Sequence, residues 1–196
     1  DRSEIQNPTS KIEVAWRYLV LGVTHIIPHG LDHMLFVLGL FFLSPKLKPL
    51  LWQVTAFTLA HSVTLTLAVL DIVRLSPDVV EPLIGTCIAF VAIENLLTAR
   101  IHPWRPAVVF AFGLMHGMGF AGVLMEVGLP RAQLVPALIS FNVGVEVGQL
   151  IVIAIALVLV GWWRNRKWYR PAITLPASAL IALTGLWWTV QRVFDL

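Results

Sequence analysis

Long apolar runs separated by short basic segments set the tightest limit on what this chain can fold into. Six such runs cover 28–44, 49–73, 82–99, 106–127, 134–163 and 171–190. Each reaches the roughly 17 residues that a helix needs to cross about 30 Å of hydrocarbon. Inside lipid every backbone N–H and C=O must be bonded within the protein, so long uninterrupted runs read as helices. Proline at or near the start of most runs fits a helical first turn, where its missing N–H costs nothing. The predicted fold class is therefore all-α, a polytopic transmembrane bundle of about six spans. The run over 134–163 is long enough to require tilt or projection.

Composition agrees. Hydrophobic residues make up 58% of the 196 and charged residues only 13%, against about a quarter in soluble domains. Mean hydropathy is +0.81. Residues 1–10 read as a polar tail, and 11–27 as an amphipathic helix with Trp16, Arg17 and Tyr18 suited to the membrane surface. Pro28 and Gly30 interrupt the helical path that follows. The predicted organisation is a tail and interfacial helix over 1–27, then one six-span domain over 28–196.

The formal charge of +3 does not point to nucleic acid, because the basic residues sit in short connections. Lys46 and Lys48, then Arg100 and Arg105, then Arg164, Arg166, Lys167 and Arg170 mark every second loop. The intervening loops hold only Arg74 and Arg131. The positive-inside rule puts the basic loops in the cytoplasm and both termini outside, with Arg2, Lys11 and Arg17 as a weak contrary vote. The chain starts at Asp1 and not Met, which agrees with an external N-terminus after removal of an upstream segment. One cysteine, Cys87, allows neither an internal disulfide nor a thiolate cluster.

The polar residues within the runs carry the functional signal. A charge at the bilayer centre costs roughly 2.5–3.5 kcal/mol on insertion scales, so it needs a partner, a cavity or a task. His25, His29 and His33 stand at i, i+4 and i+8, with Asp32 three residues after His29. On a helix these share one face, and a kink at Pro28–Gly30 still allows the imidazoles to gather. Neutral imidazole with carboxylate is a ligand set for zinc, nickel, cobalt or iron. The plainer reading makes Asp32 an orienting partner and leaves the other histidines at a wet interface.

His61 lies mid-run with Thr58 one turn before it. His116 sits in the glycine-rich segment Gly113-Leu-Met-His116-Gly117-Met-Gly119. Such glycines let helices approach closely, and they do not explain a histidine at their centre. Asn142, Glu146 and Gln149 form one polar stripe at i, i+4 and i+7, which serves as interhelical glue or as cation ligands. Glu94 either meets a histidine or reaches Arg100. No basic residue is evident beside the histidines, Asp32 and Glu146, so a metal cation or protons would supply the missing positive charge.

These segments resemble the HupE/UreJ family of hydrogenase and urease accessory membrane proteins. The resemblance lies in His25-Ile-Ile-Pro-His29-Gly30-Leu-Asp32-His33, Thr58-Leu-Ala-His61-Ser62, Phe112-Gly-Leu-Met-His116-Gly117 and Phe141-Asn142-Val-Gly-Val-Glu146-Val-Gly-Gln149. It implies a small helical permease for nickel or cobalt that serves metalloenzyme maturation, in a bacterial inner membrane. His25, Asp32, His33, His116 and Glu146 would then form the metal path. The implied partners are the lipid bilayer, the metal ion and maturation factors, with a homo-oligomer left open.

Two other readings remain at this level. An intramembrane hydrolase would hold zinc on the same His/Asp cluster, with Glu146 or Glu94 as base. The HxxxHxxxH spacing and span count are also similar to those of rhomboid proteases, but no GxSG serine exists in the glycine-rich run. A membrane metal sensor is the third reading, and Met34, Met115 and Met118 beside the histidines keep copper(I) in view. Transport is favoured over catalysis.

Overall fold

The computed structural model describes residues 10–44, 46–126 and 133–194. Residues 1–9 of the expected tail, and Arg131, lie outside the described residues. Among the described residues the chain is helical without a strand: α1 (Lys11–Ile26), α2 (Leu31–Leu43), α3 (Leu47–Val69), α4 (Pro77–Leu97), α5 (Arg105–Glu126), α6 (Leu134–Val160) and α7 (Leu175–Phe194). A 3-10 turn, Gly161–Trp163, and a π turn, Arg170–Thr174, connect α6 to α7. The expected all-α membrane bundle is what the chain forms.

The count of six spans is approximate. Four segments are long and apolar enough to cross a membrane, namely Leu47–Val69, Pro77–Leu97, Leu134–Trp163 and Arg170–Phe194. A fifth exists if α1 and α2 are taken as one broken span, bent by 69°. Helix α5, at 22 residues, is long enough as well. The expected span 28–44 is shorter than its apolar run. Its helix covers only the 13 residues of α2, about 20 Å at 1.5 Å per residue, less than the hydrocarbon thickness.

Local sequence explains the break. Helix α1 opens with a capping box in which Ser10 accepts from the Glu13 N–H and Glu13 accepts from the Ser10 N–H. It closes at Ile27, before Pro28. At Gly30 a Cβ would collide with the His25 carbonyl oxygen, so only glycine lets α2 start this close to the end of α1.

Three helix pairs make the closest associations, α1 with α6, α3 with α5 and α4 with α7. Each is seated on glycine. Gly22 faces Gly144 across α1 and α6, Gly85 faces Gly185 across α4 and α7, and Gly113 and Gly117 of α5 rest on the Phe57 and His61 carbonyls of α3. Lipid gives helices no hydrophobic reason to associate, so small residues that admit backbone-to-backbone approach supply the contact. The short helix α2 threads between the pairs, touching α1, α3, α4, α6 and α7, and buries His33, Phe36, Val37, Leu40 and Phe41. Helix α1, expected at the membrane surface, lies along α6 with Val14, Tyr18 and Ile26 buried.

The C-terminal ends of α2 and α4, the start of α3 and the connection 161–170 meet at one end of the bundle, where arginine side chains bind exposed helix carbonyls. Arg164 donates to the carbonyls of Phe41 and Ser44 and lies over the Phe41 ring at 4.5 Å. Arg170 donates to the carbonyls of Asn95 (3.3 Å) and Thr98 (3.0 Å). Each cation meets the negative end of a helix, α2 and α4 respectively.

Candidate metal centre

The structure gathers His25 from the end of α1, His33 from the first turn of α2, His61 from the middle of α3 and His116 from the middle of α5. Ring centroids lie 4.7 Å apart for His25–His33, 5.8 Å for His33–His61, 6.2 Å for His25–His61 and 5.0 Å for His33–His116. One ligand atom each from His25, His33 and His61 falls within 4.8 Å of the others. The bend after Ile26 puts His33 beside His25, and the absence of a Cβ at Gly117 lets α5 rest on the His61 carbonyl, with the adjacent His116 ring 5.0 Å from that of His33.

Three of these rings are held in one tautomer by acceptors. Asp32 Oδ1 accepts from the backbone N–H of His33 at 2.8 Å and from its Nδ1 at 2.9 Å. The Phe112 carbonyl accepts from His116 Nδ1 at 2.9 Å. Asn142 donates its amide to the Leu138 carbonyl at 2.8 Å, which turns its Oδ1 toward His61 Nδ1 at 3.4 Å. Carbonyl and carboxylate oxygens only accept, so each Nδ1 carries the proton and each Nε2 carries the lone pair. The Nε2 atoms of His33, His61 and His116 are buried, with no hydrogen-bond partner among the described residues. Leaving a buried polar atom unsatisfied costs about 1–3 kcal/mol. A cation that accepts such lone pairs removes that cost. His25, His33 and His61, whose ligand atoms gather within 4.8 Å, are a donor set that fits a borderline-soft transition metal, with the His116 ring 5.0 Å from that of His33. Asp32 behind His33 is the carboxylate partner that such ligands commonly have.

The remaining sequence candidates fall elsewhere. His29 is exposed on the α1–α2 turn, with its Nδ1 3.0 Å from the Thr24 carbonyl. Glu94 is buried, 2.8 Å from Arg105 Nη1, and Arg105 is 1% exposed. Of the two partners weighed for Glu94, histidine and Arg100, the structure brings His102 within electrostatic range, while the direct ion-pair partner is Arg105. Glu146 accepts from the Thr55 hydroxyl at 2.8 Å, and Gln149 Oε1 accepts from Thr58 at 2.9 Å. With Asn142 on His61, the polar stripe of α6 thus lies along α3. Glu146 and Asn142 line a cleft of about 400 Å³ between these helices, with Thr55, Thr58, Ser62 and Thr66.

Sequence reading passed over two parts of this arrangement. Thr55, Thr58 and His61 form a stripe at i, i+3 and i+6 that matches the α6 stripe, a periodicity visible in the sequence. The second part is aromatic. Phe36, Phe57 and Phe112 stand about one turn from His33, His61 and His116, each toward the arginine-bearing end. Phe57 lies 5.0 Å from His116 and 4.9 Å from Phe36, and Phe36 lies 5.6 Å from His116. This apolar layer divides the histidines from a second polar layer. There Asn95 donates to the Gly39 carbonyl (2.8 Å) and Ser178 (3.2 Å), and accepts from Arg105 (3.4 Å).

A family model described as HupE / UreJ protein matches residues 1–192. No curated protein and no solved structure matches the chain.

Proposed function

The chain belongs to the HupE/UreJ family, and from that premise we propose that it carries a divalent transition metal ion of the nickel–cobalt kind across the membrane. The observation that carries the proposal is the ligand cluster of His25, His33 and His61, with buried Nε2 atoms on His33, His61 and His116 that have no hydrogen-bond partner among the described residues. The ion is the cargo. His25, His33, His61 and His116 exchange it for water, and Asp32 fixes His33 for that task. Glu146, in the α3–α6 cleft one turn from Asn142, supplies negative charge near the route. Conduction needs binding that also releases, and a set of neutral imidazoles with one second-line carboxylate holds an ion less tightly than a charged cage.

The arginine-rich end is the cytoplasmic end in this proposal, by the positive-inside rule. The aromatic layer then closes the inner side of the site, and the ion arrives from outside. Nickel or cobalt delivered this way would feed metalloenzyme maturation.

The zinc hydrolase reading uses the same imidazoles and needs a carboxylate free to act as base. Glu94 is engaged by Arg105. Glu146, the other base weighed, accepts from Thr55 through one oxygen in the α3–α6 cleft and is not among the residues whose ligand atoms gather with the histidines. The Glu94–Arg105 pair favours transport, and metal content separates the two readings. The test is metal content of untagged protein in mild detergent, before and after nickel, cobalt, zinc or copper is added. Weak, saturable nickel or cobalt binding is the expected result. A stoichiometric, chelator-resistant zinc would overturn it in favour of the hydrolase.

A further inference from the structure

The arginine-bearing end holds a second pocket, of about 200 Å³, lined by Ser44, Arg164, Tyr169, Arg170 and Thr174 among others. Among the described residues neither Arg164 nor Arg170 is paired with a carboxylate; each donates to two backbone carbonyls through a single terminal nitrogen. A guanidinium has five N–H donors in a planar fork, so most of each fork is left for another acceptor. Between them Tyr169 is 6% exposed, and its hydroxyl has no hydrogen-bond partner among the described residues. Burial pushes that phenol above the ordinary tyrosine range, so it stays a neutral O–H donor. Two cationic forks and an unspent hydroxyl donor are complementary to a phosphate.

The depth of the pocket says which phosphate. Trp162, Trp163 and Trp168 project outward around it, and Trp163 and Trp168 lie 5.9 Å apart. Exposed tryptophans on a membrane protein mark headgroup depth. Basic pockets between helices at that depth take the headgroups of anionic lipids. We propose that the pocket formed by Arg164, Tyr169 and Arg170 binds the phosphate of an anionic phospholipid. The lipid bridges the α6–α7 connection to the ends of α2 and α4, because the same arginines hold those helix ends. This binding is independent of metal transport.

The test is thermal unfolding of the detergent-solubilised chain, titrated with phosphatidylglycerol, phosphatidylcholine or inorganic phosphate. Ligand that binds only the folded state raises Tm with concentration. Phosphatidylglycerol is expected to give a saturable rise, and phosphatidylcholine and inorganic phosphate none. Tyr169→Phe removes a hydroxyl that has no hydrogen-bond partner among the described residues, so its fold is expected to be intact. It should weaken the phosphatidylglycerol response about tenfold, the scale of one hydrogen bond to a charged group. Equal responses to the two lipids, or an unchanged response in Tyr169→Phe, would overturn the site. A rise produced equally by inorganic phosphate would overturn the lipid assignment and leave a soluble-anion site.

Discussion

Asp32 grips His33 twice through one oxygen, accepting from the ring Nδ1 at 2.9 Å and from the backbone N–H at 2.8 Å. The two residues are adjacent in the first turn of α2, where the helix dipole also favours the carboxylate. This single contact decides which nitrogen of a buried imidazole faces the centre of the bundle.

Replacing Asp32 with Asn keeps the volume and removes the charge. Loss of such an outer partner typically lowers metal affinity 10–100-fold, so a drop of about that size is expected in equilibrium dialysis with nickel or cobalt. Wild-type affinity in the folded variant would show that Asp32 does not orient the ligand.

Glu94 gives the opposite expectation. Its partner is Arg105 at 2.8 Å, in a layer separated from the histidines by Phe36, Phe57 and Phe112. Glu94→Gln leaves a buried guanidinium without its counter-charge, which costs about 3–5 kcal/mol. Thermal unfolding should fall by roughly 10 °C, with metal affinity unchanged. A variant of normal stability that has lost metal would return Glu94 to the site.

Gly117 tests how α5 is seated. A Cβ there would collide with the His61 carbonyl and the Thr64 hydroxyl, both on α3. Gly117→Ala is expected to cost about 1–3 kcal/mol through overpacking. It should also weaken metal binding, because pushing α5 off α3 drives the neighbouring His116 away from His33, 5.0 Å from it by ring centroid. The matched control is Gly119→Ala, whose Cβ would sit 3.2 Å from the end of the flexible Ile84 side chain. If both variants behave alike in metal binding, the seating of α5 on α3 is not what positions His116.

Much of this was legible in the sequence because lipid imposes so strong a pattern. The runs that became α3, α4, α6 and α7 are apolar over the whole length a helix needs to cross, without the alternation that strands of a membrane barrel show. His33, His61 and His116 stood out because a histidine in such a run is costly. Their convergence was not legible. It depends on which helices pair, and that is decided by Gly22 against Gly144 and by Gly117 against His61, contacts over large sequence separations. The bend after Ile26 was visible as Pro28 and Gly30, yet its consequence, that His25 joins the site while His29 turns outward, follows from three-dimensional direction. The partner of Glu94 was missed for a similar reason. Arg105 reads as a loop cation, and only the packing of α5 against α4 draws it inside.

Whether the buried histidines carry a metal ion across the membrane is decided by metal uptake. Untagged protein would be reconstituted into liposomes that contain a nickel- and cobalt-sensitive fluorophore, beside His33→Ala and His116→Ala. Saturable nickel or cobalt influx is expected for the native chain, with strongly reduced influx and lower bound metal for both variants, each still inserted in the bilayer. Equal influx through all three proteins, or no influx of either ion through the native chain, would contradict it.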